Sequence, residues 1–366
     1  MTDKTIAKWT LESQQGIESL VFDKAAKIPC LGELDVLVRI YAASLNYRDL
    51  VIADGSMPLP ISPHVVPGSD GAGIVEAVGL RVTEYKTGDK VCTHMLRHSN
   101  AESDEYIAEN EVVTLNHIEN GLGEHLDGTL CQYGVFHESC LVRMPSNLSF
   151  LEASTLTCSA LTAWNALYGL PSKAVKKGDV VLTQGTGGVS IAALQFAVAA
   201  GATVIATTSS DAKAVRLTSL GARTVINYKT HPNWGEEAKR LTPNGKGVDI
   251  VVDIGGLNTL PESLKAVSAG GLVIVGGLVA GIGSKFGSPP TLLECLWKVC
   301  TVRGIVLGTK VQFRDMVAQI ESKGIKPVVD EKVFGLKDVK EAYQFLKQQK
   351  HFSKVVIEIN KDLVSN

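Results

Sequence analysis

The sequence lacks several features that mark particular classes of protein. Its seven cysteines are an odd number at irregular spacing and include no C-x-x-C pair, so neither a disulfide framework nor a zinc ribbon is indicated. A formal net charge of −2 gives no electrostatic reason to expect a nucleic acid or an anionic membrane as partner. The first sixteen residues contain no apolar run of a signal peptide, and glycines and glutamines interrupt the most apolar long stretch, 180–208. We therefore expect a cytoplasmic protein without a membrane span.

The composition is that of a chain with a large core. Of its 366 residues, 45% are hydrophobic and 20% are charged, and this length favours two domains over one. The 35 glycines lie between apolar runs, which indicates the tight turns of an α/β protein. The expected fold class is therefore α/β.

The hydrophobic pattern changes along the chain. Up to about Pro145, short apolar strands such as Asp35–Leu45 alternate with glycine, proline and aspartate turns, which predicts a β-rich, barrel-like domain. From about Leu151 to Gly308, apolar strands alternate with helical segments, as in a doubly wound parallel sheet that binds nucleotides. The predicted strands there are Val180–Thr183, Thr203–Thr207, Thr224–Ile226, Ile250–Asp253 and Leu272–Val275, and the predicted helices are Val189–Ala200 and Ala212–Leu220.

The tail of the chain predicts a helix, Val339–Gln348, and a last strand, Lys354–Ile359. Both are expected to return to the first domain.

A glycine-rich turn follows the first strand of the second domain. It consists of Gly185, Thr186, Gly187, Gly188 and Val189, with the small Ser190 at the third position of the G-x-G-x-x-G pattern. Glycines there let the backbone approach a pyrophosphate, whose charge is favoured by the amides at a helix N-terminus. The turn alone would also fit an ordinary strand-to-helix connection. Its place between two strands favours a dinucleotide site.

The end of the second strand indicates which dinucleotide binds. An NAD site needs an acidic residue there to hold the ribose 2′-hydroxyl. This chain has hydroxyl side chains at Thr208 and Ser209 and a cation at Lys213, which suit a 2′-phosphate. Asp211 could instead hold a ribose hydroxyl, but it follows the strand end and equally fits a helix-capping residue. The sequence therefore predicts NADPH.

Motifs in collinear order along nearly the whole chain resemble the medium-chain dehydrogenase/reductase superfamily, in particular its zinc-free quinone-oxidoreductase-like and zinc-type alcohol dehydrogenase-like branch. They are AASLNYRDL, VPGSDGAGIVEAVG, GDKV, TLTCSALTAWNAL, the glycine turn, GA..VINY and SKVVIEI. The resemblance implies a GroES-like catalytic domain over residues 1–150 and 310–366 and a Rossmann NADPH-binding domain over 151–309. It also implies a homodimer, formed through a strand at about 301–307.

The resemblance assigns further residues to the cofactor. Lys213 and Tyr228 match positions that hold the 2′-phosphate in NADPH-using relatives. Gly277, Leu278 and Gly308 would lie beside the nicotinamide, and we assign Lys354 to the cofactor-binding set as well.

The same alignment of motifs argues against a catalytic metal. The three ligand positions of zinc-dependent relatives fall on Asn46, Ser69 and Cys158, and only the last has a soft donor for zinc. Cys158 could be a reactive thiol, but we interpret it as a small buried apolar residue. His94 and His98 are four residues apart, and we interpret them as a solvated loop pair. No metal is expected.

Without a Lewis acid, the substrate must accept hydride readily, as a conjugated carbonyl does. The candidate catalytic residues are Tyr47, Asn46 and, by resemblance, Thr162. Tyr47 either donates a proton to the substrate oxygen or only packs against the substrate, with Asp49 and Asp70 organising the hydrogen bonds around it. The first functional hypothesis is an NADPH-dependent enone, enoyl or quinone reductase acting on a small molecule. A zinc-free alcohol dehydrogenase or ketone reductase, and a non-catalytic NADPH-binding protein, stay open.

Overall fold

A computed structural model describes residues 5–56, 60–98, 107–277, 279 and 290–361. The chain divides into two compact units, one formed by Met1–Ser159 with Thr309–Asn366 and the other by Ala160–Gly308. The described strands are β1 (Thr5–Leu11), β2 (Leu20–Lys27), β3 (Asp35–Leu45), β4 (Asp70–Val78), β5 (Lys90–Thr93), β6 (Tyr133–His137), β7 (Leu141–Arg143), β8 (Val180–Gln184), β9 (Thr203–Thr208), β10 (Ala222–Asn227), β11 (Val248–Asp253), β12 (Val267–Val275), β13 (Thr301–Gly304), β14 (Phe334–Gly335) and β15 (Val355–Glu358).

The described helices are α1 (Tyr47–Asp54), α2 (Leu115–Glu119), α3 (Phe150–Ala153), α4 (Leu161–Tyr168), α5 (Gly188–Ala199), α6 (Asp211–Ser219), α7 (Trp234–Arg240), α8 (Leu260–Ala266), α9 (Leu293–Lys298), α10 (Lys310–Lys323) and α11 (Val339–Lys347). A π-helical turn, Leu156–Ala160, precedes α4. Within the described part of the chain, no helix is both long and apolar enough to cross a membrane.

The first unit is rich in antiparallel strands. Strands β1 and β2 form a pair, and a larger sheet has the order β14-β15-β3-β4-β5-β7, with β6 added to β3. The long strand β3 pairs with β15 at its end, where Val355 lies opposite Leu45, and with β4, where Asp70 lies opposite Ser44. This register places the first residues of β4 and β15 beside the last residues of β3. The C-terminal helix and strand belong to this unit.

The second unit contains a six-stranded parallel sheet of order β10-β9-β8-β11-β12-β13. That order is the doubly wound arrangement, in which the connection reverses between the first and fourth strands and ligands bind at the carboxyl ends of the strands. The five predicted strands correspond to β8 to β12, and the two predicted helices correspond to α5 and α6. The α/β fold class is confirmed.

Both units bury apolar side chains from strands and helices together. In the second unit, Leu182, Val251 and Val273 come from adjacent strands and are fully buried. In the first unit, the ring of Tyr343 from α11 packs into a core with Leu45 of β3. Burial on this scale fixes the sheets, and the sheets in turn hold the strand ends at which the polar side chains cluster.

Candidate functional site

The glycine turn leaves open space in front of helix α5. Gly185 has a φ of 76°, a conformation that favours glycine, and a Cβ placed on either Gly185 or Gly187 would meet no atom within 4 Å. Gly187 is the N-cap of α5 and has no side chain to cap the helix, and the Ser190 hydroxyl donates to the Gln184 carbonyl. The first amides of α5 therefore face a space that a phosphate group can enter. Thr186, Gly188 and Val189 complete the turn and are half-buried.

The predicted 2′-phosphate residues lie together at the ends of β9 and β10. The carbonyl of Thr208 accepts the backbone N–H of Tyr228 at 3.0 Å, and Thr208 pairs with Asn227 in the parallel register. Ser209 follows Thr208, and Lys213 lies in the first turn of α6. Two hydroxyl residues, a lysine and a tyrosine thus lie at or just after the carboxyl ends of these two strands.

Asp211 differs in part from the prediction. Helix α6 is capped by Ser210, whose hydroxyl oxygen accepts the backbone N–H of Lys213, so Asp211 is the first helical residue and not the cap. Its carboxylate accepts a hydrogen bond of 2.8 Å from the side-chain amide of Asn227. A carboxylate already bonded to Asn227 is less available to a ribose hydroxyl.

Three further predicted residues lie elsewhere in the second unit. Gly277 follows β12, and a Cβ there would come within 2.6 Å of the Ile254 carbonyl oxygen, so only glycine fits at this strand end. Thr162 is buried on α4, and its methyl group would lie 3.7 Å from a Cβ placed on Gly276. Gly308 is the last residue of the unit. Leu278 lies outside the described residues.

A cluster of buried polar side chains lies in the first unit at the end of β3. The Lys354 ammonium, only 4% exposed, donates to the Asn46 side-chain oxygen and, at 3.2 Å, to the Asp70 carboxylate. The Ser159 hydroxyl also donates to the Asn46 oxygen, at 3.2 Å. The Asn46 amide nitrogen Nδ2 is buried without a hydrogen-bond partner in the described structure. We name Asn46, Asp70, Ser159 and Lys354 the Lys354 cluster.

Two aspartates organise the surroundings of this cluster, as the sequence suggested. Asp70 is fully buried and accepts hydrogen bonds from the Ser69 hydroxyl at 3.0 Å and the Ser44 hydroxyl at 3.2 Å. Asp49 accepts the backbone N–H of Asn46 at 2.7 Å. Burial raises the pKa of Asp49 to about 6, because a carboxylate is poorly solvated there.

Tyr47 begins helix α1 directly after Asn46 and is 43% exposed. Its hydroxyl group makes no hydrogen bond to the described residues. Asn46 and Tyr47 are adjacent in the chain, but the amide is buried in the Lys354 cluster and the phenol is open to a ligand.

The residues at the three metal-ligand positions do not fit a zinc ion. The Asn46 oxygen already accepts two donors, one of them a cation, and the Ser69 hydroxyl donates to Asp70. Cys158 is half-buried, and burial raises the pKa of its thiol to about 12. Among the described residues, no group of three or more histidine, cysteine, aspartate or glutamate side chains could hold a metal ion.

The two histidines were interpreted wrongly as a solvated loop pair. His94 and His98 are both buried, and their rings are joined by a hydrogen bond of 3.0 Å between Nδ1 and Nε2. Burial lowers the pKa of His98 to about 4. Phe313 of α10 packs against His94, and the pair belongs to the interior of the first unit.

Sequence reasoning missed how Lys354 is held. Lys354 was assigned to the cofactor on resemblance alone, whereas both of its side-chain partners are in the first unit. It precedes β15, and β15 pairs with the end of β3, so the pairing of these two strands is the signal that would have placed it beside Asn46. Nothing in the local sequence reveals that pairing.

Comparison with known proteins gives two family models and several full-length relatives. The model described as an alcohol dehydrogenase GroES-like domain matches residues 32–146, and the model described as a zinc-binding dehydrogenase matches residues 188–322. A zinc-type alcohol dehydrogenase-like protein of Schizosaccharomyces pombe is 44% identical over 327 residues, which are 89% of this chain and 91% of that protein. A quinone oxidoreductase of Sus scrofa is 28% identical over 84% of this chain and 82% of its own.

Solved structures described as alcohol dehydrogenases are also similar to this chain. A putative alcohol dehydrogenase from Sinorhizobium meliloti is 35% identical and superposes with a TM-score of 0.83 over 98% of this chain and all of its own. A structure described as an NAD-dependent alcohol dehydrogenase is 32% identical, with the same TM-score over 97% of this chain and all of its own.

Proposed function

Because the chain belongs to the medium-chain dehydrogenase/reductase superfamily, a family of nicotinamide-dependent oxidoreductases, we propose that it is an NADPH-dependent, zinc-independent reductase of conjugated carbonyl compounds. The substrate class is an enone, an enoyl thioester or a quinone. The observation that supports this proposal most directly is the Lys354 cluster, because the side chain at the first metal-ligand position, Asn46, is bonded to an ammonium group.

The second unit provides the residues that would hold the cofactor. The space before α5 accepts the pyrophosphate, and Thr208, Ser209, Lys213 and Tyr228 are grouped where a 2′-phosphate would bind. The engagement of Asp211 by Asn227 favours NADPH over NADH. When bound, the reduced nicotinamide supplies a hydride.

The residues at the three metal-ligand positions do not fit a metal ion, and this restricts the class of substrate that the protein can reduce. A simple ketone needs its carbonyl oxygen polarised while the carbonyl carbon accepts hydride, which a metal achieves as a Lewis acid. In a conjugated carbonyl the hydride adds at the β-carbon, and the negative charge is delocalised onto an oxygen three atoms away. Hydrogen-bond donors can stabilise that charge, and we assign Tyr47, Asn46 and Thr162 as the candidate catalytic residues.

The test is turnover of NADPH and NADH with a panel of quinones, enones, enoyl thioesters, ketones and alcohols. We expect oxidation of NADPH with conjugated acceptors, unchanged by a chelator, in protein shown by elemental analysis to be free of zinc. Lys213→Ala should raise the KM for NADPH about 10-fold or more, the value of one charge-assisted hydrogen bond, and leave that for NADH unchanged. Zinc bound at one per chain, or activity abolished by the chelator, would refute the zinc-independent reading.

A second candidate is a zinc-free alcohol dehydrogenase or ketone reductase. The alcohol dehydrogenase names of the Sinorhizobium meliloti protein and of the other solved structure favour it. Turnover restricted to ketones and alcohols in the same panel would support this candidate. Tight NADPH binding with no turnover at all would favour a non-catalytic binding protein.

We also propose a homodimer formed at the β13 edge of the second unit's sheet. Strand β13 is the last strand of that sheet, and exposed apolar side chains of α9, such as Leu296 and Trp297, lie just before it in the chain. A terminal strand of a sheet next to exposed apolar side chains is a natural interface with a second copy. Light scattering after size-exclusion chromatography should give the mass of two chains.

A further inference from the structure

We propose that Lys354 and Asn46 form an oxyanion site in which a fixed ammonium group and an amide N–H take the place of a metal ion. The site would bind the carbonyl oxygen of the substrate and stabilise the negative charge that develops on it. The chemistry rests on the proposed function, but the site itself predicts the binding of an anionic oxygen, which can be measured without turnover.

The Lys354 ammonium has more N–H donors than partners in the described structure. A protonated lysine has three N–H groups and no acceptor. Two of them are directed to Asn46 and Asp70, and the third has no partner among the described residues. The side chain is nine-tenths buried, so bulk water solvates that third N–H poorly.

The side-chain amide nitrogen of Asn46 also lacks a partner in the described structure. Its side-chain oxygen accepts from both Lys354 and Ser159, and these two donors fix which end of the amide is oxygen. The nitrogen Nδ2 is then a donor that is buried without a partner in the described structure. Buried donors without partners are rare and unfavourable, so the cluster lacks an acceptor that a ligand could supply.

These two donors select an anionic acceptor over a metal cation. An ammonium N–H and an amide N–H both require an acceptor, and both favour one with negative charge. A metal cation would be repelled by the ammonium group. The Asp70 carboxylate forms an ion pair with Lys354 and also accepts hydrogen bonds from Ser44 and Ser69, so the cluster itself satisfies Asp70 and the third ammonium N–H stays a donor for a ligand.

The position of the cluster is fixed by the sheet rather than by flexible loops. Strand β3 ends at Leu45, opposite Val355 of β15, so Asn46 and Lys354 leave adjacent strands at the same point. Asp70 begins β4 and is paired with Ser44 on the other side of β3. Donors held at the ends of two paired strands need little reorganisation when charge develops, which is the condition for strong electrostatic stabilisation.

The site would serve the reduction of a conjugated C=C bond. The substrate gains a hydride, two electrons and one proton, at its β-carbon from a reduced nicotinamide, which is thereby oxidised. The former C=C electron pair forms a new double bond to the carbonyl carbon, and the carbonyl π electrons move onto the oxygen. The resulting enolate oxygen accepts from Lys354 and Asn46. The α-carbon then takes one proton, from Tyr47 or from water, and the saturated carbonyl compound forms.

The experiment uses 4-nitrophenol as an enolate mimic whose neutral and ionised forms differ in absorption spectrum. It is titrated into the full-length protein, with and without NADP⁺, over a range of pH. The wild-type protein should bind the phenolate at least about tenfold more tightly than the phenol, as expected for an anion within a few ångströms of an ammonium group. Lys354→Met should abolish this preference, and Lys354→Arg should retain part of it.

Two further variants control for folding and for surface charge. Lys354→Met leaves the buried Asp70 carboxylate without its cation and could unfold the chain, so the double variant Asp70→Asn/Lys354→Met removes both charges and should fold without the phenolate preference. Lys340→Met removes a partly exposed lysine of α11 that pairs with Glu18, and it should behave as wild type.

Kinetics separate this role from cofactor binding. Lys354→Met and the double variant should lower kcat with an enone about 10²–10³-fold, as loss of an oxyanion donor does, while the Kd for NADPH changes less than about threefold. A large rise in the Kd for NADPH with the phenolate preference intact would overturn the proposal and make Lys354 a cofactor ligand. Failure of the wild-type protein to bind the phenolate preferentially would also overturn it. A wild-type protein that shows the preference but reduces no enone would refute the proposed function and leave the oxyanion site standing.

Discussion

Substituting Gly187 by alanine should separate the stability of the protein from its affinity for the cofactor. Gly187 is the N-cap of α5 with φ −79° and ψ 171°, a conformation open to any residue, and a Cβ there would meet no atom within 4 Å. Alanine is a poorer N-cap than glycine, by about 0.5–1 kcal/mol. It also restricts the unfolded chain, which stabilises the protein by about 0.4–1 kcal/mol. The free energy of unfolding should therefore change by less than about 0.5 kcal/mol.

The effect on cofactor binding should be much larger. The added methyl group would occupy the open space in front of the first amides of α5, where the proposed pyrophosphate has to approach the backbone. Losing one charge-assisted hydrogen bond costs about 1.5–3 kcal/mol. With 1.4 kcal/mol per factor of ten, the Kd for NADPH should rise about 10-fold to 150-fold.

Thermal unfolding and titration of NADPH fluorescence on the same samples provide both quantities. Gly304→Ala is the matched control, because Gly304 of β13 is equally open and lies on a different strand from the turn. It should leave the Kd for NADPH unchanged and raise the free energy of unfolding by no more than about 0.4–1 kcal/mol, the effect of alanine on the unfolded chain. An unchanged Kd in Gly187→Ala would refute the assignment of the phosphates to this turn, and a large loss of stability would show that the space is not open.

Two other substitutions test the electrostatics of the first unit. Arg48→Met removes the partner of Glu124, whose side chain is fully buried, and should destabilise the protein by about 3–5 kcal/mol in urea unfolding, with recovery in Arg48→Met/Glu124→Gln. Burial raises the pKa of Asp49 from 3.8 to about 6, so the folded protein holds a proton that the unfolded chain releases. Stability should accordingly fall by about 2–3 kcal/mol as pH rises from about 4 to about 6, and Asp49→Asn should remove this slope; an equal slope in the variant would contradict the assignment.

The fold of the second unit could be predicted from the sequence because its signals are local. Each buried parallel strand is a short apolar run, and each is followed by a helix with its own periodicity. The main error was the start of β12, which begins at Val267 rather than at Leu272. Gly270 and Gly271 resemble a turn, but the strand continues through them with an irregular register against β11, the kind of bulge that glycine permits.

The first unit was less accessible because its pairings are not local. Individual strands such as β3 could be predicted, but the pairing of β3 with β15 joins residues about three hundred positions apart. The same limitation explains the error on the histidines. Spacing correctly brought His94 and His98 together, but their burial depends on distant partners such as Phe313 of α10.

The Lys354 cluster shows why substituted ligand positions are only part of the argument about a metal. Asn46 and Ser69 could be read from the sequence, and they weaken a zinc site by removing soft donors. The Lys354 ammonium has a stronger effect, because it already donates to the Asn46 oxygen and forms an ion pair with the buried Asp70 carboxylate. A dication and this ammonium would repel each other at such short range, so the two cannot share the cluster. The cation at the end of β3 is therefore a lysine side chain and not a metal ion. A substrate bound there must develop a negative charge that hydrogen-bond donors can stabilise.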